Sequence, residues 1–297
     1  MTDHFTVGLT LSDDSFNPQE ARNYGLAIFL SDTSFTFCIL DFKRNKVIGL
    51  QELVKADGQQ LNTLSNQKIS YPDFLDNIFN AMPWLTSSFK LVKIAYEGKK
   101  STLIPAPLFD PDEKENYLRF SFQSGGEEKF LSDHLLSMNS FQVFSVPAFI
   151  LNSISERFQG TRIVHATSVL IESIWINYKN RINAFRVFLH LRSSLFDLMI
   201  FDGRQMTYFN TFPFQNPEDV TYYLIFVLEQ LNFNPETVPL ILLGNVEKGA
   251  ALVELLLRYV RHVEFGRRND AYRYSYMLNQ LPQHAYYPLF NFFSCGL

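Results

Sequence analysis

The side chains that most often carry chemistry are few in this sequence and poorly spaced for it. Six histidines, at positions 4, 134, 165, 190, 262 and 284, form no HxxxH or HExxH pattern, so no pair lies one helical turn apart as a zinc site needs. The two cysteines, Cys38 and Cys295, lack a CxxC neighbour, which argues against a zinc cluster and a disulfide framework. They read as reduced thiols acting as small apolar groups. No GxSxG elbow marks a hydrolase serine. Gly98-Lys99-Lys100-Ser101-Thr102 hints at a phosphate loop, but the earlier glycine would fall at Lys93 and Lys100 intrudes before the serine. A solvated turn is the reading there. Ser124-Gly125-Gly126-Glu127 reads as a loop tip, and the acid pairs Asp13-Asp14 and Glu127-Glu128 as solvated surface. Arg258, Arg261, Arg267 and Arg268 could meet RNA, yet two of them lie in the last turns of an expected helix, where cations suit the dipole.

Composition narrows the classes further. The chain has 297 residues, with 26 Lys+Arg against 30 Asp+Glu, a formal net charge of −4. That balance gives no general pull toward nucleic acid. With 46% hydrophobic and 19% charged residues, the composition is that of a globular protein. No apolar run approaches the ~18–20 residues of a membrane span; Tyr222 to Leu228 is short and interrupted. The start of the sequence, with Asp3, Asp13 and Asp14, lacks the basic and apolar regions of a secretory signal, so a cytoplasmic location is expected. Thirty phenylalanines exceed what a core needs, and 13 glycines are about 4% against a usual ~7%. Scarce glycine counts weakly against phosphate-cradling chemistry, where backbone must approach the ligand. The aromatic tail (Tyr286, Tyr287, Phe290, Phe292, Phe293) is expected to bury itself against the second lobe or, if exposed, to anchor a partner.

The elements that would position any site recur. Leu26 to Leu53 reads as three strands, LAIFL, FTFCILD and VIGLQEL, split by the polar turns SDTS and KRNK. A helix starts at Tyr71-Pro72-Asp73, a strand covers Phe89 to Tyr96, and a loop holds Pro105, Pro107 and Pro111. Strand-like segments continue to Val146, followed by a helix from Pro147 to Phe158, a strand near 162–165 and a helix from Thr167 to Tyr178. The pattern then restarts with FRVFLHL, LFDLMIF and MTYFNTF around the turns RSS and DGRQ. A helix introduced by Asn216-Pro217-Glu218-Asp219, the strand VPLILLG, the helix GAALVELLLRYV and the strand HVEF complete it. At an offset of 161 residues Leu30 meets Leu191, Phe35 meets Phe196, Ile39 meets Ile200 and Asp41 meets Asp202. An internal duplication follows from that correspondence and from the repeated element order.

A duplicated meander with helices resembles the superfold of actin, sugar kinases and heat-shock-chaperone ATPases. FLHLRSSLFDLMIF is similar to its second phosphate loop, and VPLILLGNVEKGAALVELL to its adenosine-side strand and helix. With FNTFPF…EDVTYYLIFVLEQL, nearly the full length resembles an uncharacterised bacterial family of this fold, distantly similar to ATPase-fold assembly proteins of type IV pili and type II secretion. The resemblance implies a nucleotide site, and the residues depart from its pattern. Phe29 stands at the first-loop aspartate, Ser31 replaces glycine, and Asp32 and Thr33 finish that turn. His190 stands at the second aspartate; Arg192, Ser193 and Ser194 occupy the glycine run, Leu195 replaces threonine, Gly244 is kept and Asn245 replaces the second glycine.

Magnesium wants carboxylates and water; Phe29 offers no ligand and His190 a nitrogen better suited to zinc or copper. Serine in place of glycine adds a Cβ where backbone amides should approach phosphate, whereas Arg192 suits an anion. The expected fold is therefore α/β, a duplicated actin-like (ribonuclease H-like) ATPase fold of two lobes, residues 1–180 and 181–297, each a mixed sheet with flanking helices. The expected function is a catalytically degenerate scaffold or adaptor with an unknown protein partner and no catalytic residue, metal or cofactor. The alternative is an atypical nucleotide or phospho-ligand binder, with ATP and magnesium as its ligands, using Ser31, Asp32, Thr33, Arg192, Ser193, Ser194 and Gly244.

Overall fold

The computed structural model describes residues 5–56, 70–123, 126–180 and 185–297. His4, the Ser124-Gly125 part of the expected loop tip and the start of the expected second lobe at 181–184 lie outside the described residues. The chain forms two compact units. One comprises Met1–Glu172, Asp270–Gln280 and Phe292–Leu297; the other comprises Ser173–Asn269 and Leu281–Asn291. The segment after Asn269 is divided between the two units.

The first unit is built on strands β1 (Phe5–Ser12), β2 (Tyr24–Leu30), β3 (Ser34–Asp41) and β4 (Lys46–Lys55). Helix α1 (Tyr71–Ala81) and strand β5 (Leu91–Tyr96) follow. Next come β6 (Ser101–Pro105), α2 (Lys114–Arg119), β7 (Glu128–Leu135), β8 (Ser140–Pro147), α3 (Ala148–Arg157) and β9 (Ile163–His165). Helix α4 (Ala166–Tyr178) leads toward the second unit. The main sheet runs β1-β4-β3-β2-β5-β9, antiparallel through the meander and parallel from β2 to β5 to β9. All seven residues of β2 are buried, as the unbroken apolar run YGLAIFL predicts for a strand covered on both faces.

Ser70 caps α1, its Oγ accepting the Asp73 N–H at 3.3 Å. The helix buries Phe74, Leu75, Ile78 and Phe79 in a core shared with Leu26, Ile28, Phe35 and Phe37. Strands β6, β8 and β7 make a separate three-stranded sheet.

Two of these elements were not visible in the sequence. The register of β1 shifts between Val7 and Leu9, so the two-residue period that would reveal a strand breaks around Gly8. Helix α2 has six residues, fewer than two turns, too short to show a period.

The second unit carries β10 (Phe185–Leu191), β11 (Leu195–Asp202), β12 (Gln205–Pro213), α5 (Pro217–Gln230), β13 (Leu240–Gly244), α6 (Ala251–Tyr259) and β14 (Val263–Phe265). Its sheet runs β12-β11-β10-β13-β14. A capping box starts α5: Asn216 Oδ1 accepts the Asp219 N–H at 2.9 Å, and the Asp219 carboxylate accepts the Asn216 N–H. The core joins Val187, Leu189, Phe196 and Leu198 to Val220, Leu224, Leu252 and Leu256. Strand β15 (Arg273–Tyr274) returns to pair with β4, and α7 (Tyr287–Asn291) is buried in the second unit. The aromatic tail therefore does not cover one unit only: Tyr287 and Phe290 belong to the second, while Phe292 and Phe293 lie edge-on to Phe29 and Phe42 of the first.

The duplication holds to the residue. Strand β2 pairs with β3 from Tyr24↔Asp41 to Leu30↔Phe35, and β10 pairs with β11 from Phe185↔Asp202 to Leu191↔Phe196. Each register is the other plus 161. The irregularity between Ile39 and Leu40 recurs between Ile200 and Phe201.

Candidate functional site

The two polar turns are equivalent hairpin tips. In the first, the Ser31 N–H donates to the Ser34 carbonyl at 3.0 Å; in the second, the Arg192 N–H donates to the Leu195 carbonyl at 2.9 Å. Their side chains then part company. Ser31 Oγ accepts the N–H groups of Thr33 at 3.3 Å and Ser34 at 3.0 Å and lies 2.7 Å from Ser34 Oγ. A hydroxyl oxygen thus takes two backbone donors that a bound anion could otherwise use. Asp32 is exposed and accepts the Tyr96 O–H at 3.0 Å, which adds a negative charge to the same turn. Burial raises the Tyr96 pKa, and the Asp32 charge pushes it in the same direction.

In the second turn Ser193 and Ser194 are exposed, but Arg192 is drawn inward. Its guanidinium donates to Asp197 Oδ1 at 2.7 Å. Asp197, 1% exposed, also accepts from Thr211 Oγ1 at 2.7 Å and from His190 Nδ1 at 3.1 Å. Burial alone would raise the Asp197 carboxyl, but the Arg192 charge and the His190 and Thr211 hydrogen bonds outweigh it and hold the pKa at about 2. His190 therefore serves a buried carboxylate.

Gly244 closes β13 at φ +87°, and a Cβ there would meet the Leu191 carbonyl oxygen at 2.1 Å, so no other residue fits without movement. Its N–H donates to the His284 carbonyl at 2.9 Å, and His284 Nε2 lies 2.6 Å from the Val246 carbonyl oxygen. Burial lowers the His284 pKa, and because a carbonyl oxygen can only accept, Nε2 is the ring nitrogen that donates to Val246. The strand-end glycine is thus stitched to a later segment of its own unit.

Residues 13–263 match the family described as "Protein of unknown function (DUF3822)". The chain belongs to the DUF3822 family. No protein of curated function matches it. Among solved structures, this DUF3822 chain is similar to a Bacteroides thetaiotaomicron protein of actin-like ATPase fold and unknown function, at TM-score 0.73 and 24% identity over 84% of this chain and 93% of that one. It is also similar to a chain of the PilM–PilN type IV pilus biogenesis complex, at TM-score 0.57 and 11% identity over 90% and 95%. These likenesses establish the actin-like fold. Among the described residues, no helix is long and apolar enough to cross a membrane, and no group of three His, Cys, Asp or Glu residues is arranged to hold a metal.

A cleft of about 570 Å³ in the first unit of this DUF3822 chain is lined by Lys90, Lys93, Arg157 and Arg162 with no acidic side chain. The cations are mostly engaged. Arg157 pairs with Asp76 at 2.6 Å, Arg162 with the buried Asp133 at 2.9 Å, and Lys93 Nζ donates to the carbonyls of Cys295 and Leu297. Sequence reasoning did not reach the roles of Asp197, Thr211 and His284. The signal for the first was present: one acid inside the apolar run LFDLMIF must be buried, and a buried charge requires partners.

Proposed function

We propose that this DUF3822 chain is a catalytically degenerate actin-like scaffold or adaptor that works through protein–protein contacts. The observation that carries the reading is Ser31, whose hydroxyl already occupies backbone donors of the first hairpin tip. An anion bound there would have to displace two intact hydrogen bonds and approach the Asp32 carboxylate. In the second tip Arg192 is committed to Asp197, and a ligand would have to compete with a buried ion pair. A fold neighbour being part of a two-protein assembly complex lends the scaffold reading support by analogy only.

Thermal melting with and without millimolar ATP, ADP and magnesium tests it. A ligand at 100 times its Kd would stabilise the native state by about 2.7 kcal/mol, a readable rise in Tm. No rise is expected. A rise that Arg192→Ala removes would overturn the proposal in favour of nucleotide or phospho-ligand binding.

A further inference from the structure

Helix α5 presents an outer stripe that its own unit leaves uncovered. Glu218, Tyr222, Phe226 and Glu229 follow one another at spacings of four, four and three residues, which places them on one face. Tyr222 is 64% exposed and Phe226 46% exposed, and Glu218 and Glu229 are exposed. The aromatic pair is anchored. Phe226 stacks on Tyr222 with centroids 6.2 Å apart, Tyr222 meets Tyr223 at 5.5 Å, Tyr223 stacks on Phe212 at 4.7 Å, and Phe212 stacks on the fully buried Phe196 at 5.3 Å. Five rings thus run from core to surface, so the outermost two are already ordered. Pre-ordered aromatic side chains lose little entropy on binding, which is what makes such residues interface anchors.

The charges choose the occupant. Helix α5 contains no Lys or Arg, and an acid flanks the aromatic pair at each end. A second copy meeting this stripe through its own α5 would set acid against acid: Glu218 against Glu229 if antiparallel, and each against its equivalent if parallel. Like charges brought together cost affinity in either arrangement. We propose that the Glu218–Tyr222–Phe226–Glu229 face docks an amphipathic helix of a different protein, apolar at its centre and with Lys or Arg one to two turns to either side. The proposal deepens the scaffold reading by naming the chemistry of the partner, and it rests on that reading.

A designed helical peptide with a Lys–Leu–Leu–Lys stripe at the same spacing is the probe, read by fluorescence anisotropy against the full chain. Its controls are the same peptide with Glu for Lys and one with Ser for the two central leucines. Micromolar binding of the Lys peptide is expected, weakened at least tenfold by Tyr222→Ser or Phe226→Ser. Glu218→Gln with Glu229→Gln should weaken it several-fold and flatten its salt dependence. Both aromatic positions are exposed, and an unchanged melt for each variant shows that folding is intact. Equal binding of the Glu peptide, binding indifferent to the aromatic variants, or no binding up to about 1 mM would each overturn the proposal. A concentration-dependent dimer that Phe226→Ser dissolves would overturn it in favour of a second copy. None of these outcomes bears on melting with nucleotide, so the two readings can fail separately.

Discussion

The same meander is built twice in this chain, once around apolar side chains and once around a buried ion pair. At the position where the second unit has His190 the first has Phe29; for Arg192 it has Ser31, and for Asp197 it has Thr36. Phe29 lies edge-on to Phe292 at 5.7 Å, whereas His190 and Arg192 converge on one carboxylate. Identical register in both copies shows that the backbone is set by strand pairing and core apolarity and does not need the polar group. The third strand differs as well. In the first unit β4 is covered by β1, but among the described residues β12 pairs only with β11 and ends its sheet. That edge is blunted: Asn210 Oδ1 takes the Thr211 N–H at 2.9 Å, and Pro213 has no N–H to offer.

If the ion-pair network is structural, removing its centre should be the most damaging change. Asp197→Ala leaves Arg192 and His190 buried without their carboxylate and should cost about 3–5 kcal/mol. The equivalent Thr36→Val in the first unit should cost no more than about 1 kcal/mol, since no hydrogen bond to a charged group is seen at its hydroxyl among the described residues. Urea melts of the two variants check the contrast, and equal losses would break it. Gly244→Ala comes next, at roughly 3 kcal/mol, because the methyl must displace the Leu191 carbonyl and the backbone must hold a positive φ. The matching residue in the first unit is Tyr96, paired with Leu30 as Gly244 is with Leu191, so the glycine requirement belongs to one copy alone.

A smaller effect separates the copies by pH. The Asp197 carboxyl sits at about 2 in the folded chain against an ordinary 3.8. Its depressed pKa contributes stability that is fully present above the unfolded value and is lost as pH falls through about 2. The contribution is on the order of 2 kcal/mol. Stability measured in urea from pH 5 to pH 2 should therefore show the gap between the wild type and Asp197→Asn narrowing as pH falls. A constant gap would mean that the carboxylate charge contributes nothing.

Much of the architecture was legible because apolar strands and capped helices carry local signals: the 161-residue offset, read from a handful of matches such as Leu30 with Leu191, became a register. The candidate site was legible only as a set of departures. That Phe29, Ser31 and Arg192 stand where a nucleotide-binding pattern differs could be read from order along the chain. That Ser31 folds back on Thr33 and Ser34, or that Arg192 turns to Asp197, depends on side-chain direction. Strand β1 and the return of β15 to β4 were missed for a related reason, since one contains a register shift and the other is two residues long.

The smallest predicted effect is the sharpest on function. Ser31→Ala removes the acceptor of two N–H groups at a part-buried turn and should cost about 1 kcal/mol. Ser31→Gly frees the same donors and also removes the Cβ, giving the first hairpin tip the residue that phosphate-binding turns favour. If Ser31 is what closes the tip to anions, Ser31→Gly should gain a stabilisation by phosphate or ATP that Ser31→Ala gains less of and the wild type lacks. Asp32 still opposes an anion in both variants, so the double change Ser31→Gly with Asp32→Asn should show the largest response. Should no variant respond, the hydroxyl is only a turn-forming group and the closed state of the tip lies in the backbone itself.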